Sequence, residues 1–342
     1  MFRLYFNSTS FKQLLYVLVF IFAVSCKHKT SNTNVSGDSL IVNLSTLELS
    51  KDIEKDPKNP ELYYKRAVVY FNQKDLVKAT QDIDQAILFN NQNPLYFYYK
   101  GNILFASNQT IKAAEAYEYA VKLKPDYNES KLKLAELYYL VKEHSKSFIY
   151  LNEIISKDPT NANAHFYKAM NFKELKDTMK AIQEFQSAYE NDKNFYDAAI
   201  QLGLIFTAKN DQLANEYFSS AIRMQPRNEE AYFARGVYLQ NNQKFTEALM
   251  DYRKVIAINP SRFDAYYNVG YINFDTKHFD EAIRNWDLCI QMNNTYVQAY
   301  YMRGLAEEVR GNFDKAKLNY EYTLQLAPDF KLAEEAMKRI KK

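Results

Sequence analysis

Cysteine is almost missing from this chain. There are two in 342 residues, Cys26 and Cys289, so no disulfide framework holds the fold, and an apolar core must do that work. Glycine is scarce as well. The seven glycines stand apart from one another, and no cluster forms the loop that cradles a phosphate. Four histidines, His28, His144, His165 and His278, show no metal-ligand spacing, and no nucleophile elbow occurs. No cofactor, metal site or catalytic residue is expected from these absences. Basic residues barely outnumber acidic ones, 44 against 41 for a formal charge of +3. A nucleic-acid binder would carry a basic stripe, and none is present. No strand-like alternation of polar and apolar residues is found either.

The few glycines and prolines that exist keep a fixed interval. Pro125 to Pro159, Pro226 to Pro260, and Gly236 through Gly270 to Gly304 are steps of 34 residues. A period of that size marks a stacked array. Eight units start at Pro60, Pro94, Asn128, Ala162, Tyr196, Glu229, Phe263 and Val297, and one residue is missing near Asn210-Asp211. The eighth position of each unit is small: Ala67, Gly101, Ala135, Ala169, Gly203, Gly236, Gly270 and Gly304. The twentieth is small again, from Ala79 to Ala316, with Ser147 the one hydroxyl. Position 24 is bulky: Ile83, Tyr117, Leu151, Phe185, Phe218, Tyr252, Trp286 and Tyr320. Small residues at fixed phase let two helices approach, and the bulky one fills the space beside them. Apolar residues recur at helical spacing in both halves of a unit, a polar stretch such as 240–244 separates the halves, and proline ends the second. Each unit reads as helix–turn–helix.

With these positions in phase, the chain resembles the tetratricopeptide repeat (TPR) family over about residues 60–328. First-helix aromatics at position 4, Tyr63, Phe97, Tyr232, Tyr266 and Tyr300, fit the pattern; Lys131, His165 and Ala199 depart from it. The resemblance implies an all-α fold, a right-handed superhelix (α-solenoid) of eight repeats. Terminal repeats lack a neighbour on one side, and the sequence supplies a cover at each end. Residues 45–59 start with the capping-box spacing of Ser45 and Glu48, and residues 329–342 form an amphipathic helix. The basic finish of that helix, Lys338, Arg339, Lys341 and Lys342, reads first as cations completing a helix dipole in solvent and second as a site for an anionic partner.

The first residues are of a different kind. Arg3 and Lys12 are the only charges before the apolar run Leu14–Val24, and no acid precedes Asp38. The run is short for a membrane span and reads as a secretory signal. Ala23-Val24-Ser25-Cys26 resembles the lipobox of bacterial lipoproteins, which implies a signal peptide over 1–25 and lipidation of Cys26. Residues 26–44, rich in Ser, Thr and Asn, read as a flexible tether. Removing the signal takes away Arg3 and Lys12 and lowers the charge from +3 to +1. The expected location is the outer membrane, lipid-anchored and facing the periplasm. Cys289 falls at a packed position and reads as buried and inert.

TPR proteins use the inner face, which the resemblance assigns to positions 2, 5, 9, 12 and 13 of each first helix. Here those positions bring Tyr64, Phe71, Tyr98, Phe105, Tyr139, Phe166, Phe233, Tyr267, Tyr271, Phe274 and Tyr301. They also hold nine acids against one cation, Lys173. Position 2 lies in the first helical turn, where acids suit the dipole alone. Glu136, Glu174, Asp275 and Glu308 are therefore the acids that speak for a binding face. Packing between repeats is the competing role of the aromatics. Position 5 carries no lysine, which sets aside the carboxylate clamp of chaperone-docking members. The leading function is a lipid-anchored envelope adaptor that binds protein partners. The second is a binder of glycans or peptidoglycan fragments, since aromatic faces stack on sugars. An enzyme is the remote third class.

Overall fold

The computed structural model describes residues 45–340. The expected signal peptide, the expected lipidation site Cys26, the expected tether, Lys341 and Lys342 lie outside the described residues. Those residues contain eighteen α-helices and no strand. They fall into two compact units, one reaching to Leu123 and the other starting at Lys124.

In the first unit, α1 (Thr46–Lys55) precedes two helical hairpins. These pair α2 (Pro60–Asn72) with α3 (Leu76–Phe89), and α4 (Pro94–Ala106) with α5 (Thr110–Leu123). The second unit has six hairpins. Their first helices are α6 (Asn128–Leu140), α8 (Ala162–Glu174), α10 (Tyr196–Ala208), α12 (Glu229–Asn241), α14 (Phe263–Asp275) and α16 (Val297–Val309). Their second helices are α7 (His144–Lys157), α9 (Thr178–Asn191), α11 (Leu213–Met224), α13 (Phe245–Ile258), α15 (Phe279–Met292) and α17 (Phe313–Leu326). A single helix, α18 (Lys331–Ile340), follows them.

Local chemistry fixes the ends of these helices. Ser45 Oγ accepts from the Glu48 amide and Glu48 returns the bond to the Ser45 amide, a reciprocal capping box. Asn59, Asn93, Asn161 and Asn228 cap their first helices by accepting a backbone N–H. Each intra-repeat turn places its fifteenth residue at positive φ: Lys74, Asn108, Lys142, Lys176, Asn210, Gln243, Lys277 and Gly311. Only the last is glycine, the residue that takes this conformation without steric cost. The missing residue of the fifth repeat is absorbed beside Asn210, and α11 has 12 residues where α9 and α13 have 14.

The core repeats one contact. A Cβ on Gly203 would lie 2.5 Å from the Phe218 ring, on Gly270 2.6 Å from Trp286, and on Gly236 2.9 Å from Tyr252. The small eighth residue is thus the bed of the bulky twenty-fourth. Where that residue is Ile83 or Leu151, alanine suffices at positions 67 and 135; the fourth repeat departs from this, setting Ala169 with Phe185. Phe218, Tyr252 and Trp286 are fully buried, each contributing on the order of 1.5–3 kcal/mol through burial. Trp286 Nε1 also donates to the Tyr267 carbonyl at 3.2 Å.

Polar clamps stitch successive layers. Arg66 grips Asp82 within its own repeat at 2.7 Å and reaches Ser50 of α1 at 2.8 Å. Arg235 does the same with Asp251 and Ser219, and Arg303 with Asn319 and Asp287. Ser147, where other repeats have alanine, is satisfied inside the core. It donates to the Ala135 carbonyl at 2.8 Å and accepts from Asn171 at 2.9 Å, while Asn171 Oδ1 lies 2.8 Å from His144 Nδ1.

Candidate functional site: the first-helix face

Six of the eleven aromatics assigned to the inner face occupy position 5 of their repeats, and all six are buried: Tyr64, Tyr98, Phe166, Phe233, Tyr267 and Tyr301. Their partners are regular. Each of Tyr98, Phe166, Phe233 and Tyr301 packs on the bulky residue of its own second helix, with centroids 5.6–6.1 Å apart. A second partner lies 29 residues further on, just before the next first helix. Phe166 meets Phe195 at 4.9 Å, Tyr267 meets Tyr296 at 5.2 Å and Tyr301 meets Phe330 at 5.3 Å. Phe233 meets the Arg262 guanidinium at 4.4 Å. In the first repeat Tyr96 takes the role, 5.3 Å from Tyr64. Phe274 is buried too, 5.9 Å from Trp286. These rings join layers and present no open face to a sugar.

Phe71 and Phe105 in the first unit, and Tyr139 and Tyr271 in the second, are half-buried and constitute the aromatic part of the face that remains reachable.

The four acids separate in the same way. Glu136 pairs with Lys133 at 2.8 Å. Glu308 accepts from Arg339 Nε and Nη2 at 2.6 and 2.7 Å and from the Tyr320 hydroxyl at 2.6 Å. Those donors hold its carboxyl below the ordinary value in spite of burial. Arg339 is thereby a fixed partner in the fold and not a solvated cation completing a helix dipole. Glu174 is exposed and Asp275 half-buried. Burial raises the Asp275 carboxyl above its ordinary value. The Tyr271 hydroxyl, one helical turn away, is pushed up to about 12 by burial and then by the Asp275 charge. Lys173, the one cation of the face, donates to Gln201 at 2.5 Å.

Position 2 holds more than dipole-matched acids. Glu230 is raised by burial, with Asp197 and Glu229 adding repulsion and Arg262 opposing them. Arg262 itself binds Asp264 at 3.0 Å. Nothing in the spacing of these acids announces their burial; it follows from repeats that stack helix ends side by side. Cys289 is fully buried, and burial lifts its thiol to about 12, which leaves it protonated and unreactive.

Sequence models described as tetratricopeptide repeat match residues 53–81 and residues 98–162, 212–260 and 233–288, together half of the chain. A TPR repeat-containing protein from Methanocaldococcus jannaschii is 26% identical over 61% of this chain and 38% of its own length. The chain spans between 11% and 45% of the length of the curated relatives it matches. Two solved structures share the fold. The C-terminal part of a TPR repeat-containing protein from Cytophaga hutchinsonii is 18% identical, with a TM-score of 0.60 over 70% of this chain and 98% of that one. A tetratricopeptide repeat protein from Parabacteroides merdae is 13% identical, with a TM-score of 0.50 over 73% and 99%. Periodicity, hairpin geometry and sequence match agree, and the chain belongs to the tetratricopeptide repeat family.

Proposed function

We propose that this protein is a lipid-anchored adaptor of the cell envelope that holds protein partners along the first-helix face of its repeats. The observation that carries the reading is the division of that face. Most of its aromatics are used up in joining layers, yet Tyr139, Tyr271, Glu174 and Asp275 of the second unit stay reachable. A few accessible aromatic and acidic groups on a rigid stack suit an extended polypeptide, whose affinity rests on a small number of anchors. The anchor rests on the lipobox-like Ala23–Cys26 after an apolar run. Lys27 rather than an acid follows Cys26, which favours the outer membrane. A glycan ligand is less well served, because sugars need open ring faces.

Two measurements test the proposal. Cys26→Ala should move the protein out of the outer-membrane fraction; unchanged fractionation would remove the anchor. Crosslinking in intact envelopes followed by capture of the lipidated protein should recover a defined protein partner, and recovery of none at near-stoichiometric yield would sink the adaptor reading.

A further inference from the structure

Within the second unit the first-helix face carries a row of acids whose counter-charges are supplied unevenly. At its C-terminal end the chain provides its own cation. Arg339 of α18 lays Nε and Nη2 on the two oxygens of Glu308, at 2.6 and 2.7 Å. That two-pronged geometry is the strong form of an arginine–carboxylate bond. One repeat period back, Glu308 and Arg339 correspond to Phe274 and Leu305, neither of them charged, and the acid of that layer falls on the next residue, Asp275. Asp275 on α14 is half-buried and, among the described residues, has no hydrogen-bond or ion-pair partner. A carboxylate drawn from water with nothing to replace the lost hydration is costly to keep ionised. The raised affinity of Asp275 for its proton reflects that cost. Tyr271 lies one turn earlier on the same helix, half-buried. Its ring is the kind of surface on which a guanidinium stacks, as Arg262 does 4.4 Å from the Phe233 centroid.

We propose that Asp275 and Tyr271 form a receptor for an arginine side chain of an extended partner segment, which completes at this layer the pairing that Arg339 makes with Glu308. The proposal rests on the adaptor reading and gives it a chemistry. The partner segment is basic, and its arginine lies across α14 with the guanidinium on Asp275 and its plane against Tyr271. Glu190, on the second helix α9, is an exposed acid outside that face. It serves as the control for diffuse attraction between a polycation and an acidic surface.

Fluorescein-labelled hexaarginine, titrated with the purified full-length protein at about 0.15 M salt where diffuse attraction is screened, is the probe. Anisotropy should report saturable binding. Asp275→Asn should weaken it about tenfold or more, the worth of one charge-assisted contact. Tyr271→Ala should weaken it and Tyr271→Phe should not, while Glu190→Gln should leave it within about twofold. All four variants should keep the parent melting temperature within a few degrees, so that lost binding is not lost folding. Equal effects of Asp275→Asn and Glu190→Gln, or none from Asp275→Asn, would overturn the receptor. Crosslinked capture separates this from the wider reading. A partner still captured by Asp275→Asn leaves the adaptor standing without this receptor; no partner captured by the parent protein removes the adaptor itself.

Discussion

Tyr267 and Tyr296 meet edge to face, their ring centroids 5.2 Å apart and their planes at 87°. Tyr267 belongs to α14. Tyr296 is the residue immediately before α16, at the cap position, and its side chain makes no capping hydrogen bond. The ring gives up one interaction for another: it packs on the preceding layer instead of accepting from the backbone of its own helix. A double-mutant cycle on the two tyrosines should give a coupling of about 0.5–1.5 kcal/mol. Tyr267→Ala alone should cost several kcal/mol, about 3–5, since it empties a fully packed site. Chemical denaturation of the four proteins measures both. Additive losses would mean that the rings share a neighbourhood and no interaction.

Gly236 is the bed of the Tyr252 ring, whose hydroxyl donates to Gln240 at 2.8 Å. That ring is fully buried and has nowhere to retreat. Gly236→Leu should therefore destabilise the protein by about 1–3 kcal/mol or more. A melting temperature equal to the parent's would contradict the assigned repeat phase.

Asn171 holds the polar knot between the third and fourth repeats. Asn171→Ala leaves the Ser147 hydroxyl without its donor and His144 Nδ1 without its partner, an expected loss of about 1–3 kcal/mol. Adding Ser147→Ala should recover part of that loss, because the hydroxyl is then no longer buried with one bond missing. Thermal melts of the single and double variants decide the matter.

His165 supplies a pH dependence. Its Nδ1 lies 2.6 Å from Glu184 and its Nε2 2.9 Å from the Pro159 carbonyl. Two acceptors ask for two N–H groups, so the imidazolium is the favoured form. The Glu184 bond raises the histidine above 6.5, and bonds from His165 and Lys168 outweigh burial to lower Glu184 below 4.5. The histidine's contribution is fully present below 6.5 and is lost as pH rises through its raised folded value. That of Glu184 is present above 4.5 and is lost as pH falls through its lowered one. His165→Tyr should keep the bond to the Pro159 carbonyl, which Tyr63 and Tyr266 make to the matching carbonyls just before their own repeats. Between about pH 6 and about pH 8 the parent should lose more melting temperature than this variant. Parallel curves would assign the dependence elsewhere.

The helical hairpins were legible because the demand of each layer is local. A small residue at position 8 and a bulky one at 24 belong to one unit, so a single period exposes both. Joints between layers were harder to read. Tyr267 and Tyr296 stand at opposite ends of one unit, and a tyrosine before a helix looks like a missing cap until its ring is seen on the preceding first helix. The same holds for the face itself. Tyr98, Phe166 and Tyr301 share the phase expected of binding aromatics, and phase alone does not distinguish a ring that faces a groove from one that fills a joint. Arg339 illustrates the point with charge: its partner Glu308 lies 31 residues back, beyond the reach of any helical spacing.

The ring joints also fix where the array can be divided. Phe195, Tyr296 and Phe330 each require an aromatic 29 residues earlier. After Leu132 and Ile200, by contrast, the chain carries the capping residues Asn161 and Asn228. Ring and socket stand at positions 5 and 34 of one unit, so a segment that begins anywhere between them would bring a ring without its socket, or a socket without its ring. Although every unit has the same outline, not every starting point gives a complete one. An array of this kind is lengthened by whole units that run from a first helix to the residue before the next, and drift at a joint must proceed by paired changes within one unit.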